Sequence, residues 1–457
     1  MSGLEACEEK MRAAGLPAVA IETFAHYYRQ LEAGETGLIA EADIEPVAEL
    51  PDADDLTAGA SPELLDQAVV IKLNGGLGTS MGMSGPKSLL VARGADTFLD
   101  LTGRQVLALR ERSGARVPLV LMSSFATRDA SLAALDPALA ADLPPDFVQH
   151  KEPKVRADDL QPVAWPANPD LEWCPPGHGD LYTALQTSGL LEQLLGRGYR
   201  YAFVSSSDNL AAVLDPRILA WMAAEGAPFV MEVADRTPAD RKGGHVARAR
   251  DGSLLLRVVA QTPEEDLDAF QDVARHRYFN TNTIWLDLRA IGGELARRDG
   301  VLGLPMIRNR KTVDPADPGS PEVFQIETAM GAALGVVAGA RALRVPRSRF
   351  TPVKTTNDLL ALRSDAYEVA EDLSVALAQA RDGRPPLIDH DPGFFRVVAD
   401  FEARFPAGPP SLWECERLVV RGDVTFGADV VVRGEAVVEA AGGPLRIPDG
   451  AVLQAGS

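Results

Sequence analysis

"KLNGGLGTSMGMSGPKS", Lys72 to Ser88, packs five glycines and two lysines into seventeen positions directly behind an apolar run. The preceding residues, Ala68-Val69-Val70-Ile71, are continuously apolar and mostly β-branched, which predicts a strand buried on both faces, as in a parallel sheet. The glycines therefore begin at a strand's carboxyl end. There the chain can turn its N–H groups into a shared cavity, and no Cβ keeps a ligand from the backbone. Such a cavity suits an anion, above all phosphate. A flexible linker is the plainer alternative, but linkers do not usually follow buried strands or carry Leu77, Met81 and Met83 in their midst.

Two standard phosphate loops fail here. A Walker A loop needs glycine directly before Lys-Ser, whereas Pro86 precedes Lys87-Ser88 and proline has no N–H to donate. A dinucleotide fingerprint starting at Gly76-Leu77-Gly78 needs a third glycine where Met81 stands. The loop is of another nucleotide-binding kind.

At 457 residues the chain is too long for one ordinary core, so two or three domains are expected. Hydrophobic residues at 46% and charged residues at 24% fit a globular protein. The formal charge of −20 argues against nucleic acid or an anionic membrane as partner. An anionic substrate must then meet a local cluster of cations and backbone N–H groups. The three cysteines, Cys7, Cys174 and Cys415, show no disulfide or zinc spacing. The N-terminal residues lack an apolar signal core, and no segment reaches about 18 uninterrupted apolar residues. A soluble, cytoplasmic protein is expected.

Residues 1–60 show helical periodicity (Ala18, Ile21, Phe24, Tyr28, Leu31) and then an acidic stretch, and predict an N-terminal helical region. Over residues 61–382 strand-like runs at Val117–Leu121, Tyr201–Val204, Phe229–Val233 and Thr283–Leu286 alternate with helical patterns. That alternation predicts an α/β domain on a mainly parallel sheet. Asp358–Arg381 reads as one amphipathic helix, and 383–410, with its Pro and Gly, as a linker.

Residues 411–457 change period. Leu418, Val424, Val430 and Ala436 are six apart, as are Val420, Phe426, Val432 and Val438, and the small residues Gly422, Ala428, Gly434 and Ala440. After a break at Gly442-Gly443, Ile447 and Leu453 repeat the spacing. Hexads of this kind build a parallel β-helix. A small antiparallel β-domain is the alternative. The repeating positions are apolar or small, which suits support or assembly rather than catalysis.

A second strand-to-loop junction runs from Tyr201 to Asp208-Asn209 and ends an apolar run in a carboxylate. Ligands of open α/β sheets bind beyond the carboxyl ends of strands, so Asp208 and the glycine loop can share one crevice. A carboxylate beside phosphates suits Mg²⁺, although Asp-Asn also makes an ordinary turn or helix cap. His178, in Pro-Pro-Gly-His-Gly-Asp at 175–180, can donate to a phosphate or sugar oxygen or simply pack its loop. Asn280 and Asn282 suit sugar hydroxyls, or a turn. Arg344, Arg347, Arg349 and Lys354 form a basic cluster in an acidic protein, fit to meet a second anion or to remain a solvated face.

Together these segments resemble the eukaryotic-type UTP-glucose-1-phosphate uridylyltransferases, or UDP-glucose pyrophosphorylases. The resemblance runs from about residue 65 to the C-terminus. It rests on the complete pattern LNGGLGTSMGMSGPKS at 73–88, PPGHGD at 175–180, SDN at 207–209, MEVADRTPADRKGG at 231–244, FNTN at 279–282 and VPRSRFTPVKTT at 345–356. It implies a Rossmann-like nucleotide-binding domain followed by a left-handed parallel β-helix. Carried over, it sets Leu73, Asn74, Gly75 and Gly76 against uridine and phosphates and Lys87 on the triphosphate. It further implies Gln149 reading the base, Gly177 touching the nucleotide and His178 the sugar phosphate, with Asn280 and Asn282 facing glucose. Asp208 would hold Mg²⁺, and Lys354 would bridge the two substrates' phosphates. Ser206, Cys174 and Thr283 depart from the family's usual residues at their positions. The chain also stops at Ser457, where longer members continue through further β-helix residues used in subunit contacts.

The expected reaction is attack of glucose 1-phosphate on the α-phosphorus of UTP, giving UDP-glucose and pyrophosphate. The partners are thus UTP and glucose 1-phosphate, with self-association through the C-terminal β-helix a further expectation. Rival readings are a UDP-N-acetylhexosamine or broad-range UDP-sugar pyrophosphorylase, and a non-catalytic sugar-nucleotide sensor.

Overall fold

The computed structural model describes residues 2–455. Two helices, Gly3–Ala13 and Ala18–Glu32, open the chain, the first with a Ser2/Glu5 capping box. The main body is built on a ten-stranded sheet. Its parallel part runs Tyr201–Ser206, Ala68–Asn74, Leu119–Ser123, Asp146–Val148 in spatial order. Alternation decides the two faces. Val69, Ile71, Ala202 and Val204 pack with Leu181, Leu185, Leu194 and Ile291. Val70, Tyr201 and Phe203 pack on the other side with Val106, Leu109, Ile218 and Met222.

The sheet is mixed rather than mainly parallel. Tyr278–Asp287, the longest of its strands, runs antiparallel to both Tyr201–Ser206 and Phe229–Asp235. An apolar run carries no mark of its direction, so the sequence pattern could not separate the two arrangements. The register of Tyr278–Asp287 against Phe229–Asp235 shifts between Glu232 and Val233, opposite Asn280–Thr283. Asn282 sits at this bulge with φ +54°, a conformation Asn tolerates better than most side chains.

Two expectations for the region after 355 are corrected. The helix spans only Thr356–Arg363, opened by a Thr355/Asp358 capping box. The Ser364 hydroxyl bonds back to the Ala361 carbonyl at 2.7 Å, and the chain then forms an antiparallel pair, Tyr367–Val369 with Val375–Leu377. Periodic apolar residues there served a hairpin, not a helix. The stretch expected as a linker carries a strand, Leu387–His390, and helices Pro392–Phe395 and Val398–Arg404.

Behind it the chain coils with parallel pairing throughout. Leu418 lies beside Ala436 and Val420 beside Val438, three hexads on. Val424 pairs with Leu445, and Val432 with Leu453, a longer step that takes in the glycine break. Both apolar six-residue series are buried, from Leu418, Val420 and Val424 at 0% exposure to Leu453 at 8%. Leu387–His390 joins the same sheet, parallel to Ser411–Arg421.

The core of this coil is continuous with the rest of the molecule. One cluster contains Leu418, Val420 and Phe426 together with Phe395, Phe401, Leu359, Leu360 and Met81 from the glycine loop. Deleting residues 411–457 strips the partner from Leu387–His390 and uncovers Phe395 and Met81. The expected outcome is loss of soluble, cooperatively melting protein, checked by size-exclusion chromatography and thermal circular dichroism. A truncated chain that stays monodisperse and melts as before would make the coil an independent appendage.

Candidate active site

The crevice lies beyond the carboxyl ends of the parallel strands, where Leu73 stands beside Ser206 and Asn74 beside Ser123. The glycine loop doubles back on itself, with the Lys87 N–H donating to Gly76 O at 3.1 Å. That closure places Lys87 next to the second junction. Its Nζ lies 2.6 Å from Asp208 Oδ2, with both side chains only 17% exposed. The other oxygen, Oδ1, accepts from the Ser206 hydroxyl at 2.6 Å.

The chain from residue 351 returns to the same point. The Val353 N–H donates to Asp208 O at 3.2 Å, and Asn209 bridges to Pro352. Lys354 is thereby brought within one residue of the Asp208 backbone, although the two are far apart in sequence. Its side chain is exposed on the wall of a cleft of about 1060 Å³ shared with Lys242, Asn357 and Gln379.

Gln149 also reaches the glycine loop. A Cβ on Gly75 would lie 2.9 Å from Gln149 Oε1, so the amide rests directly on bare backbone. Asn74, by contrast, is 2% exposed and donates to the Ser131 hydroxyl at 2.7 Å, while its carbonyl accepts from the Thr127 hydroxyl at 2.7 Å. It braces the loop rather than facing the crevice. Leu73 is half-buried and Gly76 exposed.

Gly177 adopts φ +76°, and a Cβ there would come within 2.5 Å of Thr328 O; only glycine fits this turn. The next residue, His178, accepts the Met330 N–H on Nδ1 at 3.0 Å. That bond assigns the ring's proton to Nε2, and burial lowers its pKa to about 4, so the imidazole is a neutral donor. Asn280 and Asn282 hold each other: Asn280 Nδ2 donates to Asn282 Oδ1 at 2.8 Å, and the Asn282 N–H to Asn280 Oδ1 at 2.9 Å.

The arginines of the basic cluster do not form an anion site. Arg344 is paired with Asp52, Asp54 and Asp235, and Arg347 with Asp240. Arg349 forks onto Glu232 at 2.8 and 2.9 Å, and Glu232 also accepts from Trp285 Nε1 at 2.9 Å. Glu232 is wholly buried. These carboxylates lie far away in sequence, which is why the cluster read as free charge.

One residue escaped the sequence reading. Lys72 is 2% exposed, donating to the Ser205 hydroxyl at 2.7 Å and to Ala212 O at 2.9 Å. It ties together the two ends of the turn that carries Asp208. Burial, reinforced by the Arg349 charge, lowers its pKa to about 7. The available signal was a lysine two places beyond Val70 on a strand buried on both faces.

Glycine-loop backbone, a lysine and a carboxylate thus come together at the strand ends. Fold and site together define a nucleotidyltransferase. The chain belongs to the UTP--glucose-1-phosphate uridylyltransferase family, whose model matches residues 21–433. It is 40% identical to the potato (Solanum tuberosum) UTP--glucose-1-phosphate uridylyltransferase over 86% of this chain and 81% of that one. The Saccharomyces cerevisiae enzyme is also 40% identical, over 85% and 77%. A crystal structure of the Leishmania major UDP-glucose pyrophosphorylase S374W mutant in complex with UDP-glucose superposes with a TM-score of 0.94 at 42% identity, covering 100% of this chain and 98% of that one.

The Arg349–Glu232 pair gives a direct test of the site boundary. Arg349→Met leaves a wholly buried carboxylate without its cation and is expected to cost about 3–5 kcal/mol in denaturant unfolding. Unchanged stability with weakened anion binding would return Arg349 to the crevice.

Proposed function

We propose that the chain forms UDP-glucose and pyrophosphate from UTP and glucose 1-phosphate. The observation that carries this reading is the Lys87–Asp208 pair, closed at 2.6 Å over the mouth of the glycine loop with Gln149 resting on Gly75. The UDP-glucose held by the L. major relative supports the same products.

The uracil edge offers an N–H and a carbonyl, and an amide such as Gln149 satisfies both. The bare backbone at Gly76, where an added Cβ would meet nothing within 4 Å, lets the nucleotide approach closely, with Lys87 leaving Asp208 for the triphosphate. Glucose 1-phosphate enters from the His178 side, where Nε2–H donates to its phosphate and the Asn280–Asn282 pair meets the sugar hydroxyls. The nucleophile is an ionised phosphate oxygen, so no general base is required. Rate then comes from holding two anions in line and neutralising the charge that develops. His178, fixed as a neutral donor, gives that interaction without itself taking up the proton.

Mg²⁺ fits as a one-carboxylate site. Among the described residues no group of three His, Cys, Asp or Glu could cage a metal, but magnesium needs only one or two carboxylates when phosphates and water complete its shell. Asp208 would hold it, and the ion would supply charge neutralisation between the phosphates.

Three coarser proposals accompany this one. The hexad coil is read as a left-handed parallel β-helix, supported by its six-residue burial period. Trp413, Val437 and Val452 are exposed apolar residues on that coil and support self-association there. A reducing, cytoplasmic setting is supported by the buried free thiols of Cys7, Cys174 and Cys415. Among the described residues no helix is long and apolar enough to cross a membrane.

Purified protein incubated with UTP, Mg²⁺ and a panel of sugar 1-phosphates is expected to release pyrophosphate fastest with glucose 1-phosphate. Faster release with N-acetylglucosamine 1-phosphate, or none with any sugar, would sink the assignment. Lys354→Met keeps the aliphatic stem but removes the charge. It is expected to lower kcat by about 10² to 10³, with UTP affinity falling less and the melting temperature unchanged. A folded variant with near-normal kcat would remove Lys354 from the mechanism.

A further inference from the structure

His150 follows Gln149 directly, and its backbone N–H and both ring nitrogens lie against the turn that carries His178 and the helix that follows it. Its backbone N–H donates to Asp180 Oδ2 at 2.7 Å, and its ring Nδ1 lies 2.8 Å from Asp180 Oδ1. Its Nε2 lies 3.0 Å from the Thr187 hydroxyl, which itself bonds the Thr183 carbonyl at 2.9 Å. The side chains of His150 and Asp180 are 10% and 5% exposed. A carboxylate with both oxygens committed to one neighbouring residue, in a nearly dry setting, fixes that residue's position and direction.

Asp180 is itself held from the other side. The Gly179 N–H donates to Thr328 O at 2.8 Å, and a Cβ on Gly179 would fall 2.2 Å from Thr328 Oγ1. Asp180 also directly precedes the helix Leu181–Thr187, whose last residue is the one that touches His150. The turn therefore has no slack to pass on. Gln149, in turn, is anchored by its N–H on Ser123 O at 2.8 Å and lies against Gly75. One contiguous set of short contacts thus runs from Thr328 through Asp180 and His150 to the amide over the glycine loop.

We infer that Asp180, acting through His150, is a positioning residue that holds the Gln149 amide in register with the uracil edge and so sets the preference for UTP over CTP. The inference rests on the proposed role of Gln149 as base reader. UTP and CTP differ only along that edge, where a carbonyl and N–H are exchanged for an amine and an unprotonated nitrogen. An amide placed loosely can rotate to serve either base. One held on a fixed backbone against Gly75 presents a single pattern of donor and acceptor. Asp180 has no reacting atom to touch, so its loss acts on binding and base choice rather than on the chemical step.

The test measures kcat and KM for UTP and for CTP, with glucose 1-phosphate saturating, in the wild type and in Asp180→Ala, Asp180→Asn and Gln149→Ala. Asp180→Ala is expected to raise the KM for UTP about tenfold or more, the scale on which a displaced positioning group acts. The UTP-over-CTP ratio of kcat/KM should shrink by a similar factor while kcat for UTP stays within about threefold. Asp180→Asn keeps one oxygen for the His150 backbone N–H and is expected to recover part of the preference. If Asp180→Ala does not fold, Asp180→Asn decides alone, since it keeps the volume and must still show the KM rise and the narrowed preference. An unchanged preference in a folded Asp180 variant, beside a lost preference in Gln149→Ala, overturns the positioning role only. A preference retained in Gln149→Ala overturns the base-reading assignment and this inference with it.

Discussion

The Lys87–Asp208 ion pair organises this site. An ammonium and a carboxylate at 2.6 Å, each five-sixths shielded from solvent, hold one another because neither can be left partly buried and alone without a penalty of several kcal/mol. Around this pair the neighbouring segments take their places. Ser206 fixes the second carboxylate oxygen, Lys72 braces the turn from beneath, and the Val353 N–H draws the Lys354 segment onto the Asp208 backbone. Segments more than 280 residues apart in the chain thus meet around the turn that carries Asp208. On the proposed reading the pair is also a closed form of the binding site. A triphosphate would compete with Asp208 for Lys87, and the freed carboxylate would then be available to the cation that accompanies the triphosphate.

What was legible in the sequence shared one property: the chemistry and its geometry lay within a dozen or so residues. The apolar run before Lys72 and the glycines after it specify strand and loop together, as do Tyr201–Ser206 and Asp208. The hexads from Leu418 to Leu453 were equally plain, because a six-residue period has few other structural uses and its apolar members all turn inward. What escaped depended on partners distant in sequence. Nothing within Arg344–Arg349 indicates that Asp52, Asp54, Asp235, Asp240 and Glu232 will neutralise it. Asn74 stood inside the most specific motif of the chain, yet it is spent on Ser131 and Thr127. The direction of Tyr278–Asp287 and the hairpin after Arg363 failed for a related reason, since an amphipathic or apolar pattern fixes burial but not the strand or helix it is paired with.

The C-terminal coil contributes to the site without supplying it a functional group. Met81 leaves the glycine loop to enter the same core as Leu418 and Phe426, and a Cβ on Gly82 would meet Val397 at 2.7 Å. A loop rich in glycine carries a large conformational entropy cost when ordered. Burying one of its methionines in a core shared with the coil offsets part of that cost before any ligand arrives. The loop is therefore preorganised by a module more than 300 residues downstream, which gives a physical reason for the two to be one folding unit.

A protein with 65 acidic and 45 basic residues cannot draw two phosphorylated substrates by its overall field. At physiological ionic strength that repulsion decays over about 8 Å, so it weighs on the approach and little on the contact. On the proposed reading the balance reverses at the ligand, because the nearby arginines are already neutralised and the groups that would face it are short-range: loop N–H groups, the neutral His178 donor and two lysines. Lys87 is paired with Asp208, while Lys354 is exposed on the wall of an adjoining cleft whose lining includes neither Lys87 nor Asp208. On that reading affinity and rate would come from contacts made only when both anions are seated, and a site so arranged would stabilise the charge that develops between them more than either substrate alone.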